Sequence, residues 1–248
     1  MDFLAVTLLA FFAGGYLVLA GADIGVGMLL PVLGRDQRER RLVIAGIAPF
    51  FLGNEVWLVA VLGLMAGAFP GLEELVLGGL RAPVLVLVTG WMVRDTGLWL
   101  RGRADARTWR AVCDTAIVAG SWALALSWGA ILGDIAVGLP GLNGGLLFAL
   151  PAAALFAVHG AGFAALRLTG EPYERARRLP GRFALTAALL AVLPVVAGAR
   201  LPWSQVEAGG TALTLTATTT VTVLPLLLAA QSLTWWTFRH RVDRPSYL

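Results

Sequence analysis

The 248-residue sequence contains no lysine, one cysteine and two histidines, and each shortage excludes a kind of chemistry. The absence of lysine excludes Schiff-base chemistry and a lysine nucleophile. Cys113, His159 and His240 are too few for a cysteine-rich cluster, and the sequence has no CxxCH haem-attachment site. We therefore expect the chain itself to bind no metal, haem or other cofactor directly.

Charged residues are also scarce, at 14% of the chain against 58% for hydrophobic residues, and the mean hydropathy is +0.79. These values lie outside the range of soluble domains and indicate that lipid surrounds the protein. The computed isoelectric point of about 10.2 could indicate nucleic acid. The arginines, however, lie in short turns between apolar runs, so we interpret the charge as a topology signal and expect no nucleic-acid partner.

Long apolar runs dominate the sequence, and an apolar helix of about 20 residues is enough to span a bilayer. The fold predicted from them is all-α: a polytopic bundle of about seven transmembrane helices that forms one domain over residues 1–248. The predicted spans are 3–33, 42–68, 80–100, 112–137, 145–167, 183–199 and 211–237.

The arginines test this division independently of hydropathy. All but three of the 19 lie in alternate connections between the runs or in the carboxyl-terminal tail. Positively charged connections stay on the cytoplasmic side of a membrane. The distribution predicts an outside amino terminus and a cytoplasmic carboxyl terminus.

Two carboxyl groups stand out inside the predicted spans, because a charge at bilayer mid-depth costs about 2.5–3.5 kcal/mol. Asp23 lies about 15 Å of helix from the inner end of the first span, and Glu55 lies roughly 20 Å into the second. They could form a proton relay, because a carboxyl group in a low dielectric can pass a proton on. Alternatively, they could be hydrogen-bonded carboxyls that join helices through a neighbour such as Asn54. The sequence leaves both interpretations open.

Other polar residues near the spans have structural and functional interpretations. Arg94 and Asp95, with Asp114 across the next turn, are expected to form a charge network at the inner surface rather than a site. His159 could be an axial haem ligand, but no second ligand lies near it, so a packing role is favoured.

Gly21 and Gly25 form a GxxxG motif in the first span. Such a motif lets two membrane helices approach closely. It predicts a helix contact without identifying the partner helix.

Three consecutive segments near the amino terminus carry a family resemblance. GADIGVGMLLPVLG at 21–34, RDQRERRLVIAGIAP at 35–49 and GNEVWL at 53–58 resemble subunit II of the cytochrome bd quinol oxidases. That family has a DxGVGML-type first helix, a GR-x(3)-ERR turn and an acidic-x-N-x-VWL element in its second helix. The resemblance continues in order through TWRAVCD at 108–114, HGA at 159–161, LRLTGEPYERARR at 166–178 and LTWWTFRHRV at 233–242.

The resemblance implies a haem-free subunit of a quinol:oxygen oxidoreductase, inactive alone, in a bacterial-type plasma membrane. In the family, subunit I carries the haems, which are haem b with either haem d or further haem b, and oxidises quinol. Subunit II stabilises subunit I and contributes to proton delivery for the reduction of O2 to water. The expected partners are subunit I, the lipid bilayer and small accessory subunits, and Trp57 is expected to have a structural or partner-contact role.

The sequence departs from the family pattern at two acidic positions and in length. Leu52 and Ala20 stand where the family commonly has acids in its second and first helices, and a pair of carboxyl-terminal helices is expected to be missing. Glu55 follows Leu52 by three residues and shares nearly the same helix face, so we hypothesise that it replaces the lost carboxyl. The alternatives are a small proton-coupled transporter that uses Asp23 and Glu55, and a relative of subunit II that only scaffolds another membrane complex.

Overall fold

The computed structural model describes residues 2–138 and 144–244, and this part of the chain is helical with no β-strand. The seven long helices are α1 (Asp2–Met28), α2 (Phe51–Ala68), α3 (Arg81–Leu100), α4 (Arg107–Ala136), α5 (Gly144–Arg167), α6 (Phe183–Gly198) and α7 (Gly210–Thr237). The predicted single domain over 1–248 also includes Met1, 139–143 and 245–248, which lie outside the described residues.

The prediction of an all-α transmembrane bundle is confirmed, and seven is the upper count of its spans. Within the described residues, α1, α2, α4, α5 and α7 are each long and apolar enough to cross a membrane. Two further spans are counted if α3 and α6 are each taken together with the short helical segment before them, from which a sharp bend separates them. The bend is 87° between Pro70–Gly79 and Arg81–Arg103, and 64° between Gly170–Arg178 and α6.

Short helices fill the connections at both ends of the bundle. They are Leu30–Leu33, Gln37–Ile47, Pro70–Glu73, the π-helical turn Glu74–Gly79, the 3-10 turn Arg101–Arg103, Gly170–Arg178 and Trp203–Val206. Asp36 caps Gln37–Ile47 by accepting a hydrogen bond from the backbone N–H of Glu39 at 2.8 Å. We call the end of the bundle that carries residues 34–41, 101–110 and 167–182 the arginine-rich end.

The predicted second span, 42–68, is two helices in the structure. Gln37–Ile47 ends before a turn at residues 48–50, and α2 begins at Phe51. Pro49 lies in this turn and has no backbone N–H to continue the helical hydrogen bonds. The predicted boundary was therefore wrong, because hydropathy does not detect a break within an apolar run.

Helix α1 lies at the centre of the bundle and packs against α2, α4, α5 and α6. Its GxxxG face contacts α5: a Cβ atom on Gly25 would overlap the carbonyl oxygen of Phe156, and one on Gly160 would overlap the backbone of Gly25. A Cβ atom on Gly21 would lie 3.0 Å from the ring of Phe156. The structure thus identifies α5 as the partner of the glycine motif.

Helix α7 lies at the edge of the bundle. Only 11% of its most apolar 18-residue window is buried, and it packs mainly on α2 and α1. Most of its surface is therefore available to lipid or to another protein.

Candidate functional site

Asp23 and Arg94 form an ion pair between α1 and α3. Oδ1 of Asp23 lies 2.7 Å from Nη2 of Arg94, and the two side chains are only 1% and 2% exposed. Charged groups inside a membrane protein are normally paired with one another. This pair fixes the relative position of two helices whose residues are 71 apart in sequence.

A chain of amide and indole groups continues from Asp23 across the bundle. Asn54 Nδ2 donates to Asp23 Oδ2 and to the carbonyl oxygen of Leu19, each at 3.0 Å. Asn54 Oδ1 accepts a bond of 3.1 Å from Nε2 of Gln231 on α7. Trp57 Nε1 donates to Gln231 Oε1 at 3.3 Å. The hydrogen bond between Asp23 and Asn54 that one of the two interpretations proposed is present, and the chain of bonds extends to α7.

Glu55 and Asp95 lie on the other side of Arg94. Nη1 of Arg94 is 3.0 Å from Oδ1 of Asp95 and 3.8 Å from Oε1 of Glu55, which also accepts a 2.9 Å bond from Trp91 Nε1. Their side chains are 13% and 17% exposed, so this pair is nearer the surface than Asp23. Arg94 therefore has three carboxyl neighbours and is the guanidinium that they share.

Along the helices that carry it, the cluster lies nearer the arginine-rich end than the opposite end. Glu55 is one helical turn, about 6 Å, from the start of α2 at Phe51. Asp95 is about 8 Å from the end of α3 at Leu100, and Asp23 is a similar distance from the end of α1. The prediction that Glu55 lies roughly 20 Å into its span was wrong, because the helix that carries it begins nine residues later than expected.

Asp114 belongs to a second group of charges. It accepts from Arg101 Nε at 2.5 Å and from Arg40 Nη1 at 2.9 Å, and Arg101 Nη2 also donates to Gln37 Oε1 at 2.9 Å. Among the described residues, this group and the one around Arg94 have no hydrogen-bond partner in common. The single network expected for Arg94 and Asp114 is thus two networks.

A further ion pair anchors the turn after α1. Both terminal nitrogens of Arg175 bond Glu39, at 2.8 and 2.7 Å, and Nη1 also donates to the carbonyl oxygen of Leu33 at 2.5 Å. This contact lowers the pKa of Glu39 to about 2, well below its usual value, with the Arg175 hydrogen bonds as the main cause. The Gly170–Arg178 helix is therefore bonded to the GR-x(3)-ERR turn through Arg175.

His159 is buried with both ring nitrogens bonded. Nε2 lies 2.9 Å from the carbonyl oxygen of Val18, and Nδ1 lies 2.7 Å from the hydroxyl of Thr186. A carbonyl oxygen can only accept, so we assign the proton to Nε2. The ring stacks on Phe183 with centroids 4.6 Å apart. Within residues 2–138 and 144–244, no three His, Cys, Asp or Glu side chains converge as a metal site.

Sequence reasoning missed three members of the polar clusters. Gln231 and Trp91 each bond a predicted site residue, and Arg101 is buried although the sequence places it in a connection. Gln231 could have been found as the single amide in an otherwise apolar stretch of α7, since a buried amide needs a partner. Trp91 gives no comparable signal, because indoles are also common in apolar packing.

The fold and its buried charges define a multi-pass helical membrane protein. Residues 1–241 match the family described as cytochrome bd terminal oxidase subunit II, and the chain belongs to this family.

Curated relatives are subunits of cytochrome oxidases. The chain is 35% identical to "Probable cytochrome oxidase subunit 2" of Haemophilus influenzae over 126 residues, which are 51% of this chain and 33% of the relative. It is 33% identical to "Cytochrome bd-I ubiquinol oxidase subunit 2" of Escherichia coli K12, again over 126 residues, 51% of this chain and 33% of the relative. For "Cytochrome bd ubiquinol oxidase subunit 2" of Bacillus subtilis, identity is 30% over 183 residues, 66% of this chain and 53% of the relative. The chain thus matches about a third to a half of the length of these relatives.

Proposed function

We propose that the chain is the haem-free subunit II of a bd-type quinol:oxygen oxidoreductase, where it stabilises the haem-bearing subunit I and helps to deliver protons for the reduction of O2 to water. The observation that supports this most directly is the buried Asp23–Arg94 pair, which joins α1 and α3 beside a second, partly exposed carboxyl group on α2, Glu55. Family membership supplies the reaction.

The proposed assembly is a membrane complex in which the partner subunit supplies all the redox centres. Subunit I would carry haem b, with haem d or further haem b, and would oxidise quinol; small accessory subunits could complete the complex. We place it in a bacterial-type plasma membrane with the arginine-rich end of this chain toward the cytoplasm, as the positive-inside rule requires. The contacts of α1 with α2, α4, α5 and α6 hold this bundle together, which supports a stabilising role beside subunit I.

The proposed proton path begins at Glu55. This carboxyl lies one turn inside the arginine-rich end and is 13% exposed, and we propose that it takes up protons from that side. Asp23 and Asn54 lie deeper. Asp23 accepts from two donors at once, which suits it to holding Arg94 and Asn54 in place. Glu55 is therefore the proposed carrier, and Asp23 and Asn54 position the groups around it.

The path can be tested with Glu55→Gln in the assembled complex. We expect quinol-dependent O2 consumption and proton uptake to fall severalfold, with haem content and assembly unchanged, because the amide cannot take up a proton. Glu74→Gln is the matched control, since Glu74 is an exposed carboxyl at the opposite end of the bundle. Normal rates in an assembled Glu55→Gln complex would remove Glu55 from the path.

A second candidate is a relative of subunit II that only scaffolds a membrane complex. Leu52 and Ala20, which stand where the family commonly has acids, favour it. An intact but inactive assembly would support the scaffold. Ion-gradient-dependent flux in a haem-free preparation would instead indicate a transporter.

A further inference from the structure

Glu55 and Asp95 approach one another from two different helices at a single nitrogen atom. Nη1 of Arg94 lies 3.0 Å from Asp95 Oδ1 and 3.8 Å from Glu55 Oε1. Asp95 has no part in the predicted proton path. Its position beside Glu55 places two carboxyl groups at the same site.

The charges around this site do not balance if every carboxyl group is ionised. Arg94 gives one positive charge, and its Nη2 is already bonded to Asp23 at 2.7 Å. Only one guanidinium nitrogen therefore faces both Glu55 and Asp95. Tyr16 on α1 also faces Arg94, and it adds no positive charge. Three negative charges would share one positive charge.

Two carboxylates at one site repel each other, and the repulsion is relieved when one of them binds a proton. An ionised carboxylate only accepts hydrogen bonds, whereas a protonated one can donate to its neighbour. Trp91 can only donate, and it satisfies Oε1 of Glu55 in either state. If the pair held one proton, the charged groups at the site would be Arg94, Asp23 and one of the two carboxylates, so two negative charges would share one positive charge.

We propose that Glu55 and Asp95 form a two-carboxyl proton-binding site that holds one proton, with Asp95 as its second member. The proton enters from water as a bond forms to a carboxylate oxygen, and it leaves when that bond breaks toward the next acceptor. No electron is transferred. The existence of this site does not depend on the proposed function, whereas the use of its proton in O2 reduction rests on that function.

The direct test is infrared difference spectroscopy of the purified complex at neutral pH, which detects the C=O stretch of a protonated carboxyl group. We expect the wild type to show a protonated-carboxyl band that is lost in Glu55→Gln. We expect the same band to be lost in Asp95→Asn, because the remaining carboxyl group then has Arg94 Nη1 to itself and ionises. Asp105→Asn is the control, because that carboxyl is 97% exposed and pairs with Arg110 rather than with Arg94, and it should retain the band.

Two results would overturn the inference. Retention of the band in Asp95→Asn would mean that burial alone protonates Glu55, and absence of the band in the wild type would mean that both groups are ionised. Asp95→Ser provides a second variant with a smaller side chain if Asp95→Asn fails to assemble. The spectra do not depend on turnover, so the two hypotheses fail separately. Normal O2 consumption in Glu55→Gln would contradict the proton path but not the two-carboxyl site. A band missing from the wild type would contradict the two-carboxyl site but not the proton path.

Discussion

Oδ1 of Asp23 lies 2.7 Å from Nη2 of Arg94, with both side chains almost completely withdrawn from the protein surface. The pair joins the central helix α1 to α3, and Asn54 adds α2 through the second oxygen of the same carboxylate. Three helices are therefore held by one ion pair and its amide. In the proposed path, the remaining carboxyl groups near Arg94 take up protons while this contact stays in place.

Arg94→Met tests how strongly the bundle depends on this pair. Removing one partner of a buried ion pair typically costs about 3–5 kcal/mol, because the other charge is left unpaired. We expect a clear loss of thermal stability in the purified complex. The double variant Asp23→Asn with Arg94→Met should recover part of that loss. Equal stability of wild type and Arg94→Met would contradict the account.

Gly25→Ala tests the contact between α1 and α5. The added Cβ would overlap the carbonyl oxygen of Phe156, which is backbone and cannot rotate away, so the two helices must separate. We expect lower stability and poorer assembly. Gly63→Ala is the control, because nothing lies within 4 Å of its added Cβ. It should be neutral or slightly stabilising, since alanine favours helix. Similar losses in both variants would argue against the contact.

The Glu39–Arg175 ion pair predicts a pH dependence of stability. The pKa of Glu39 is about 2, below its ordinary value of 4.5, so its contribution is fully present above pH 4.5. The contribution is lost as the pH falls from 4.5 through about 2 and the native carboxylate is protonated. Thermal unfolding measured over this window should show a weaker pH dependence in Glu39→Gln than in the wild type.

The control for this prediction is Glu171→Gln. Glu171 also approaches Arg175, at 3.7 Å, but its side chain is exposed. Exposed pairs contribute about 0–1 kcal/mol, so this variant should keep the wild-type pH profile. Identical profiles for Glu39→Gln and the wild type would show that the pair does not stabilise the fold.

Asp114→Asn tests the second charge group. The change removes the carboxylate shared by Arg101 and Arg40, and Arg101 is buried, so its charge would lose its main partner. A marked fall in melting temperature is expected. Asp105→Asn breaks the 3.1 Å pair with Arg110 at an exposed site and should change the melting temperature little. A reversed order of the two effects would contradict the structure.

Much of the fold could be predicted from sequence, because long apolar runs have few structural solutions in a membrane. The break at Pro49 was missed since the run around it stays apolar, and this error misplaced Glu55 in depth. Hydropathy also does not predict which helices pack against each other. It could indicate that Asp23 needs a partner, but not that the partner is Arg94 rather than a residue of another chain. For the same reason, the sequence analysis joined Asp114 and Arg94 in one network and missed Trp91.

We propose that this chain works as the haem-free subunit of an oxidase, and its complex can be isolated to test this. The most direct measurement is the absorbance spectrum, together with quinol-dependent O2 uptake, of the complex that co-purifies with the tagged chain from its native membrane. The account predicts a partner polypeptide with b-type haem bands, with or without d-type bands, and O2 uptake that requires quinol. A stable preparation of this chain alone, without haem bands or O2 uptake but with ion-gradient-dependent flux, would contradict it.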